Sequence, residues 1–114
     1  MDGLAYTFTD VIKRWQGSKS TWYYVSLPAT ISDEVHTLRQ YHQTRRRGWG
    51  AVRVKVTAKN TAQAAVEEHH PQWETSIFPA FDDKRFALFL KADIRKQLQV
   101  VVGSEITVML NILF

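Results

Sequence analysis

Short segments with apolar side chains at every second position constrain this chain more than any other feature of its sequence. In the clearest segment, 51–57, three valines alternate with polar residues. Such alternation is typical of a β-strand with one buried face. Comparable patterns predict further strands at 4–15, 21–27, 73–78, 86–90 and 104–113. The chain is therefore expected to be mainly β.

Two segments between the predicted strands favour helices. Ser32 is expected to cap the first helix, because Asp33 and Glu34 would then lie near the positive end of its dipole. Residues 93–98 are expected to form the second helix. The polar stretch 60–72 is longer than a usual hairpin loop and leaves room for a third, short helix.

One order of elements occurs twice along the chain. A strand, a helix, a glycine and another strand follow one another around Gly50 and again around Gly103. Two such units can pair about a pseudo-two-fold axis and close a barrel without exposed strand edges. The expected fold is a small double-split β-barrel with two or three short helices and an internal duplication. It is expected to form one domain over residues 1–114.

Composition restricts the compartment and the partners. The chain has no cysteine, which excludes a small domain held together by disulfides. Its first residues lack the basic start of a signal peptide, and its apolar runs are too short to cross a bilayer. We therefore expect a cytoplasmic protein that has no membrane partner. The net charge of +4 permits contact with phosphates but does not demand it.

Two parts of the sequence carry a family resemblance. Residues 90–98, followed by Val102-Gly103-Ser104-Glu105-Ile106, resemble the swapped-hairpin half-barrel of AbrB-type transcription regulators. The wider order resembles a family of small prokaryotic domains of unknown function with a double-split β-barrel fold. That order is Leu27-Pro28, Arg47-Gly48-Trp49-Gly50, the segment 73–79 and the unit 91–103.

The resemblance covers nearly the whole chain and implies the barrel fold. In that family the domain occurs alone or beside a bacteriocin-protection (OmpD-associated) domain, and no established activity is implied. This chain departs from the pattern at three places. Gln99 stands where a glycine often ends the helix, Ser104 stands where aspartate is usual, and 60–72 looks like an insertion.

The basic and aromatic segment 45–50 is the first candidate site. Guanidinium groups offer paired donors to phosphate or carboxylate, glycines let a ligand approach the backbone, and Trp49 can stack on a planar ligand. In the alternative interpretation the arginines complement a helix end, Gly48 caps it and Trp49 packs on the barrel. The expected binding surface for an unknown ligand or protein partner comprises Arg47, Gly48, Trp49, Gly50, Trp73 and Ser76.

Nucleic-acid binding is the alternative function, and it is not favoured. Phosphate contacts give affinity without reading sequence, and a solvated helix face explains the cations of the second helix equally well. The residues that would contact phosphate are Arg45, Arg46, Arg47, Arg95 and Lys96.

No catalytic, metal or cofactor site is predicted. Ser76 has no marked base or oxyanion hole, and the chain lacks a Gly-x-Ser-x-Gly elbow. Glu67-Glu68-His69-His70 contains metal-ligand residue types but not the tetrahedral set that zinc requires, so a solvated loop is the better interpretation. The expected function is a non-enzymatic binding module.

Overall fold

Seven strands and two α-helices make up the part of the chain that the computed structural model describes, which comprises residues 4–42, 50–63, 70–80 and 85–113. In chain order the elements are β1 (Ala5–Val11), β2 (Lys13–Gln16), β3 (Thr21–Ser26), α1 (Ala29–His42), β4 (Val52–Asn60), a 3-10 turn (Thr61–Gln63), β5 (Gln72–Ala80), β6 (Arg85–Phe89), α2 (Ala92–Leu98) and β7 (Glu105–Ile112). The expectation of a mainly β fold is confirmed.

The strands form one curled sheet. All neighbours pair antiparallel in the order β1-β7-β4-β5-β6-β3-β2. β5 is shared between the two halves of the sheet, since residues 72–77 pair with β4 and residues 78–80 pair with β6. β1 and β2 act together in the same way, with β1 on β7 and β2 on β3. Strands that pass from one layer to the other make the corners of a split β-barrel.

The first predicted strand, 4–15, is two strands because the chain turns at Ile12. The Ile12 N–H donates to the Ser104 carbonyl oxygen, and the Ile12 carbonyl oxygen accepts the Gly103 N–H, both at 2.9 Å. The Ile12 side chain is buried in the core. After this residue the chain leaves β7 and pairs with β3.

The hydrogen bonds repeat about a pseudo-two-fold axis. The Leu27 N–H donates to the Phe86 carbonyl oxygen at 2.9 Å, and the Leu90 N–H donates to the Tyr23 carbonyl oxygen at 2.8 Å. These two bonds are exchanged when β3 and β6 are exchanged. β4 and β7 also pair with each other, so the order of elements that occurs twice in the sequence is a structural repeat.

The core lies inside the barrel. Val52, Val54 and Val56 of β4 are buried, as the alternation predicts, and their polar neighbours Arg53 and Lys55 are exposed. β7 contributes the facing row Ile106, Val108, Leu110 and Ile112. Period-two burial on two paired central strands fixes which face of the sheet points inward.

The first helix begins earlier than the sequence predicts. α1 starts directly after Pro28, whose carbonyl oxygen accepts the Ser32 N–H at 2.9 Å. The prediction that Ser32 caps the helix is wrong. Ser32 is 2% exposed, and its hydroxyl oxygen accepts the Phe86 N–H at 3.1 Å, which ties α1 to β6. Asp33 and Glu34 consequently lie beyond the first turn and are exposed.

The second helix ends as the family pattern requires, but with different residues. Gln99 adopts the left-handed conformation (φ 58°, ψ 49°) in which glycine is usual. The Ser104 hydroxyl oxygen accepts the Val101 N–H at 3.0 Å, a bond that an aspartate side chain would also accept. Both departures therefore preserve the turn.

Two further segments differ in extent from the sequence prediction. β5 continues through Pro79 to Ala80, two residues that the sequence assigns to a loop. In the stretch 60–72 the structure has the 3-10 turn, and residues 64–69 lie outside the described part of the chain.

Candidate functional site

The two bent strands leave two gaps in the barrel wall, one beside β1 and one beside β5. Asp10 of β1 lies opposite Ile106 of β7, and Thr75 of β5 lies opposite Val54 of β4. The β4–β7 pairing is symmetric about its centre, so Ile106 and Val54 hold equivalent places. Asp10 and Thr75 are therefore equivalent residues of the two gaps.

The gap beside β1 is closed by a carboxylate. Asp10 accepts the Ser26 backbone N–H at 2.8 Å and forms an ion pair with Lys13. Burial raises the pKa of Asp10, but hydrogen bonds from Lys13 and from the Ser26 and Val11 backbone outweigh it, so the pKa lies below its usual value. The ionised side chain joins β1 to β3 across the gap.

The gap beside β5 is open and forms a cleft of about 400 Å³, called the cleft below. Thr75, the counterpart of Asp10, lines it together with Ser76, and Leu90 and Lys91 lie where β6 leads into α2. This volume falls in the range of small-ligand pockets in proteins.

Aromatic rings of three strands form one wall of the cleft. Trp22 packs edge-on against Phe89 with ring centroids 5.3 Å apart, and Phe78 lies 6.2 Å from Phe89 by the same measure. Trp22 comes from β3, Phe89 from β6 and Phe78 from β5. The rings are inclined to one another by 62° for Trp22 and Phe89 and by 53° for Phe78 and Phe89, so a planar group can stack on one ring and contact the edge of the next.

The part of the cleft next to α2 carries positive charge. The guanidinium carbon of Arg95 lies 3.8 Å from the centroid of the Tyr23 ring, and its Nε donates to the Leu90 carbonyl oxygen at 3.2 Å. Lys91 adds a second cation, and none of the described residues that line the cleft carries a carboxylate. Asp93, two residues from Lys91, accepts the Ile94 backbone N–H at 2.9 Å.

A shallower apolar pocket of about 320 Å³ adjoins the cleft and is called the shelf below. It shares Trp22, Phe78 and Phe89 with the cleft, and Trp15 belongs to the shelf alone. Trp15 and Trp22 are directly opposite on β2 and β3, and each is 45% exposed. Gly17 permits this position of the Trp15 ring, since a Cβ there would lie 2.6 Å from it.

The residues that the sequence predicts to form a site do not all lie in the cleft. Ser76 and Arg95 line the cleft, whereas Lys96 is exposed and does not line it. Trp73 packs against the core beside Val56.

Gly50 lies away from the cleft, at the start of β4. Its φ is +70°, and a Cβ there would lie 3.0 Å from Arg39 and 3.4 Å from Pro79. A tight turn with close neighbours thus explains this glycine. The candidates Arg45, Arg46, Arg47, Gly48 and Trp49 lie outside the described residues.

The aromatic wall is the part of the site that the sequence did not indicate. Its signal lies in β3, where Trp22, Tyr23 and Tyr24 are consecutive. A strand with one buried face carries polar residues on the other face, so consecutive aromatic residues place rings on the outer face as well. Which outer rings come into contact depends on how the strands pair, and the local sequence pattern does not determine strand pairing.

Two searches of the described residues, with their gaps at 43–49, 64–69 and 81–84, gave negative results. They contain no group of three histidine, aspartate or glutamate side chains placed to hold a metal ion. None of their helices combines the length and apolar character needed to cross a membrane. Of the suggested metal-ligand types, residues 67–69 lie outside the described part, and His70 is exposed.

Comparison with known proteins assigns the chain to a family. No curated protein matches it significantly. The model of the family described as Domain of unknown function (DUF1905) matches residues 8–110, which include the bends of both strands and every described residue that lines the cleft. Membership of a family of unknown function is what the sequence resemblance implied. The chain belongs to the DUF1905 family.

Proposed function

We propose that the protein is a non-enzymatic binding module whose cleft takes a small ligand with a planar apolar ring. The observation that carries this proposal is the difference between the two gaps. The gap beside β1 is closed by Asp10, whereas the equivalent gap beside β5 is an open cleft with aromatic rings on one wall. Trp22 and Phe89 would contact the ring of the ligand.

Aromatic rings at the surface favour this assignment over ordinary packing. Trp22 is 45% exposed although it packs against Phe89, so a large part of its indole remains available to a ligand. Stacking of a planar group on such a ring contributes about 1–3 kcal/mol, and about 1.4 kcal/mol already changes the affinity ten-fold.

The test compares two tryptophans with the same exposure. The probe is N-phenylnaphthylamine, a neutral planar dye whose fluorescence rises in apolar surroundings. Trp22→Ala removes a wall of the cleft and should weaken dye binding about ten-fold or more, since losing one stacked ring costs about 1.4 kcal/mol or more. Trp15→Ala is the matched control, because Trp15 lines the shelf only, and it should change affinity less than two-fold.

Both side chains are half exposed, so neither variant should alter the melting temperature by more than a few degrees, which circular dichroism would check. Equal loss of dye binding in the two variants would place the ligand on the shelf and contradict the proposal. Absence of saturable binding by the unmodified protein would contradict it as well.

A further inference from the structure

Arg95 is the feature of the cleft that a purely apolar ligand would leave unused. Its guanidinium carbon lies 3.8 Å from the centroid of the Tyr23 ring, and its Nε donates a hydrogen bond to the Leu90 carbonyl oxygen. Together the two contacts fix the position of the group. In the described part of the chain, its terminal nitrogens have neither a hydrogen bond nor an ion pair.

An arginine held in this way is a preorganised receptor for an oxyanion. The planar guanidinium offers parallel N–H donors that match the two oxygens of a carboxylate or phosphate. Fixing the side chain before the ligand arrives lowers the entropy lost on binding. The half-buried position of Arg95 also strengthens its attraction for a negative charge relative to that of a fully hydrated cation.

The charges around the cleft support the same conclusion. Lys91 is an exposed second cation that lines the cleft, and the described residues that line it include no aspartate or glutamate that would neutralise the pair. Glu74 on β5 lies within 3.7 Å of Arg53, which is not part of the cleft. A ligand that places an anion beside Arg95 therefore meets no opposing charge among the residues that line the cleft.

We infer that the ligand is a planar ring bearing an oxyanion, with the ring on Trp22 and Phe89 and the oxyanion paired with the terminal nitrogens of Arg95. This inference rests on the proposed function and names the chemical class of its ligand. Carboxylate and phosphate share the recognition chemistry.

Two dyes of the same ring system separate this inference from the proposed function. Anilinonaphthalene sulfonate carries an oxyanion, and N-phenylnaphthylamine lacks it. Arg95→Gln should weaken binding of the sulfonate dye about ten-fold and leave binding of the neutral dye within two-fold, because only the first dye uses the charge. Lys96→Gln is the matched control: it removes the same charge from the neighbouring helix position, outside the cleft, and should change neither affinity.

Two further measurements are needed. The first uses a more conservative variant in case Arg95→Gln folds poorly, and the second identifies the preferred oxyanion. Arg95→Lys keeps the charge but loses the planar pair of donors, so it should weaken the sulfonate dye by a smaller factor and leave the neutral dye unchanged. Naphthoate and naphthyl phosphate, added to the unmodified protein, should displace the bound sulfonate dye, and the stronger competitor identifies carboxylate or phosphate as the preferred group.

The outcomes distinguish the two proposals. Failure of both dyes to bind would overturn the proposed function and this inference together. If both dyes bind and Arg95→Gln weakens them equally, the oxyanion site is overturned and the apolar cleft is not. The same conclusion follows if Arg95→Gln and Lys96→Gln weaken binding of the sulfonate dye equally. Displacement by neither competitor at millimolar concentration would also overturn the oxyanion site.

Discussion

Gln99 shows, at the scale of a single residue, how this chain ends a helix without the usual glycine. Gln99 has a φ of 58°, a positive angle that residues with a side chain rarely adopt. Its N–H donates to the Lys96 carbonyl oxygen, and the Val100 N–H donates to the Arg95 carbonyl oxygen. Asn60 adds a side-chain bond to the Leu98 carbonyl oxygen at 3.1 Å. The carbonyl oxygens of Arg95, Lys96 and Leu98 are therefore satisfied, while Gln99 carries the strain of the left-handed conformation.

Gln99→Gly should consequently stabilise the protein. A left-handed residue with a side chain costs about 1–2 kcal/mol, and the greater freedom of glycine in the unfolded chain offsets part of that gain. We expect a net increase of about 0.5–1 kcal/mol in the free energy of unfolding, measured by urea titration. Gln97→Gly, at an exposed position inside α2, should instead lose about 1 kcal/mol. Equal effects at the two positions would show that the left-handed turn is not strained.

Asp10 makes stability depend on pH. Its pKa in the folded protein lies below that of the unfolded chain, so the carboxylate stabilises the fold above about pH 4 and loses that effect as the pH falls through the folded pKa. Asp10→Asn should cost about 1–2 kcal/mol at pH 7, since a bond to a charged acceptor becomes a neutral one.

The difference in unfolding free energy between Asp10→Asn and the parent should shrink as the pH is lowered from 7 to about 3. Asp33→Asn, on the exposed face of α1, is the control and should leave stability nearly unchanged at pH 7. A constant difference between parent and Asp10→Asn across this range would show that Asp10 is not ionised in the closed gap.

At the scale of secondary structure, β4 has a buried face and an outer face that alternate along the strand. Val54 is fully buried, and Thr57 of the same strand lies on the opposite face. Val54→Asp should lower the free energy of unfolding by roughly 3–5 kcal/mol, because it buries a carboxylate without a partner. Thr57→Asp is the matched control and should cost less than about 1 kcal/mol. Melting curves of the two variants that coincide would show that the faces are exchanged.

The elements differ in how far local sequence determines them. β7 is predicted to within one residue at each end, and β4 is predicted except for its last three residues, because one period-two pattern specifies both the strand and its buried face. The break at Ile12 and the burial of Ser32 are not predictable in this way. Backbone hydrogen bonds to residues 103 and 104 hold Ile12 at the bend, and the Ser32 hydroxyl oxygen accepts the Phe86 N–H. Both features therefore depend on parts of the chain that are distant in sequence.

The candidate site has the same limit. Arg95 and Ser76 were nominated from local features, but their common cleft arises only when β5 bends away from β4 and meets β6. The arrangement of Trp22, Phe78 and Phe89 depends on pairing between three strands that are far apart in sequence. Local patterns predict which aromatic residues lie on outer faces, but they do not predict which of these rings come into contact.

At the scale of the whole molecule, the charge of +4 is distributed over separate surfaces. Arg53 of β4 lies beside Glu74 of β5, Arg95 lies in the cleft, and Lys96 is on the exposed side of α2. We expect only weak, non-specific affinity for duplex DNA at physiological salt, because few phosphates are neutralised at once.

Fluorescence anisotropy of a labelled duplex between about 50 and 200 mM salt would measure the slope of log affinity against log salt, which is near −0.9 for each phosphate contact. Replacing Arg45, Arg46 and Arg47 together with alanine should flatten any slope that the unmodified protein has. Sequence-selective binding that survives physiological salt would instead favour the regulator-like alternative.

The bent strands β1–β2 and β5 also bear on how a barrel of this kind diverges. Two identical half-chains associated as a homodimer would contain two identical gaps, and every substitution in one would occur in the other. Joining the halves in one polypeptide removes that constraint. Asp10 and Thr75 occupy equivalent places, yet one supplies a fixed ion pair and the other an opening. A barrel made of one chain can thus have an ion pair that stabilises one half and an opening in the equivalent place of the other half.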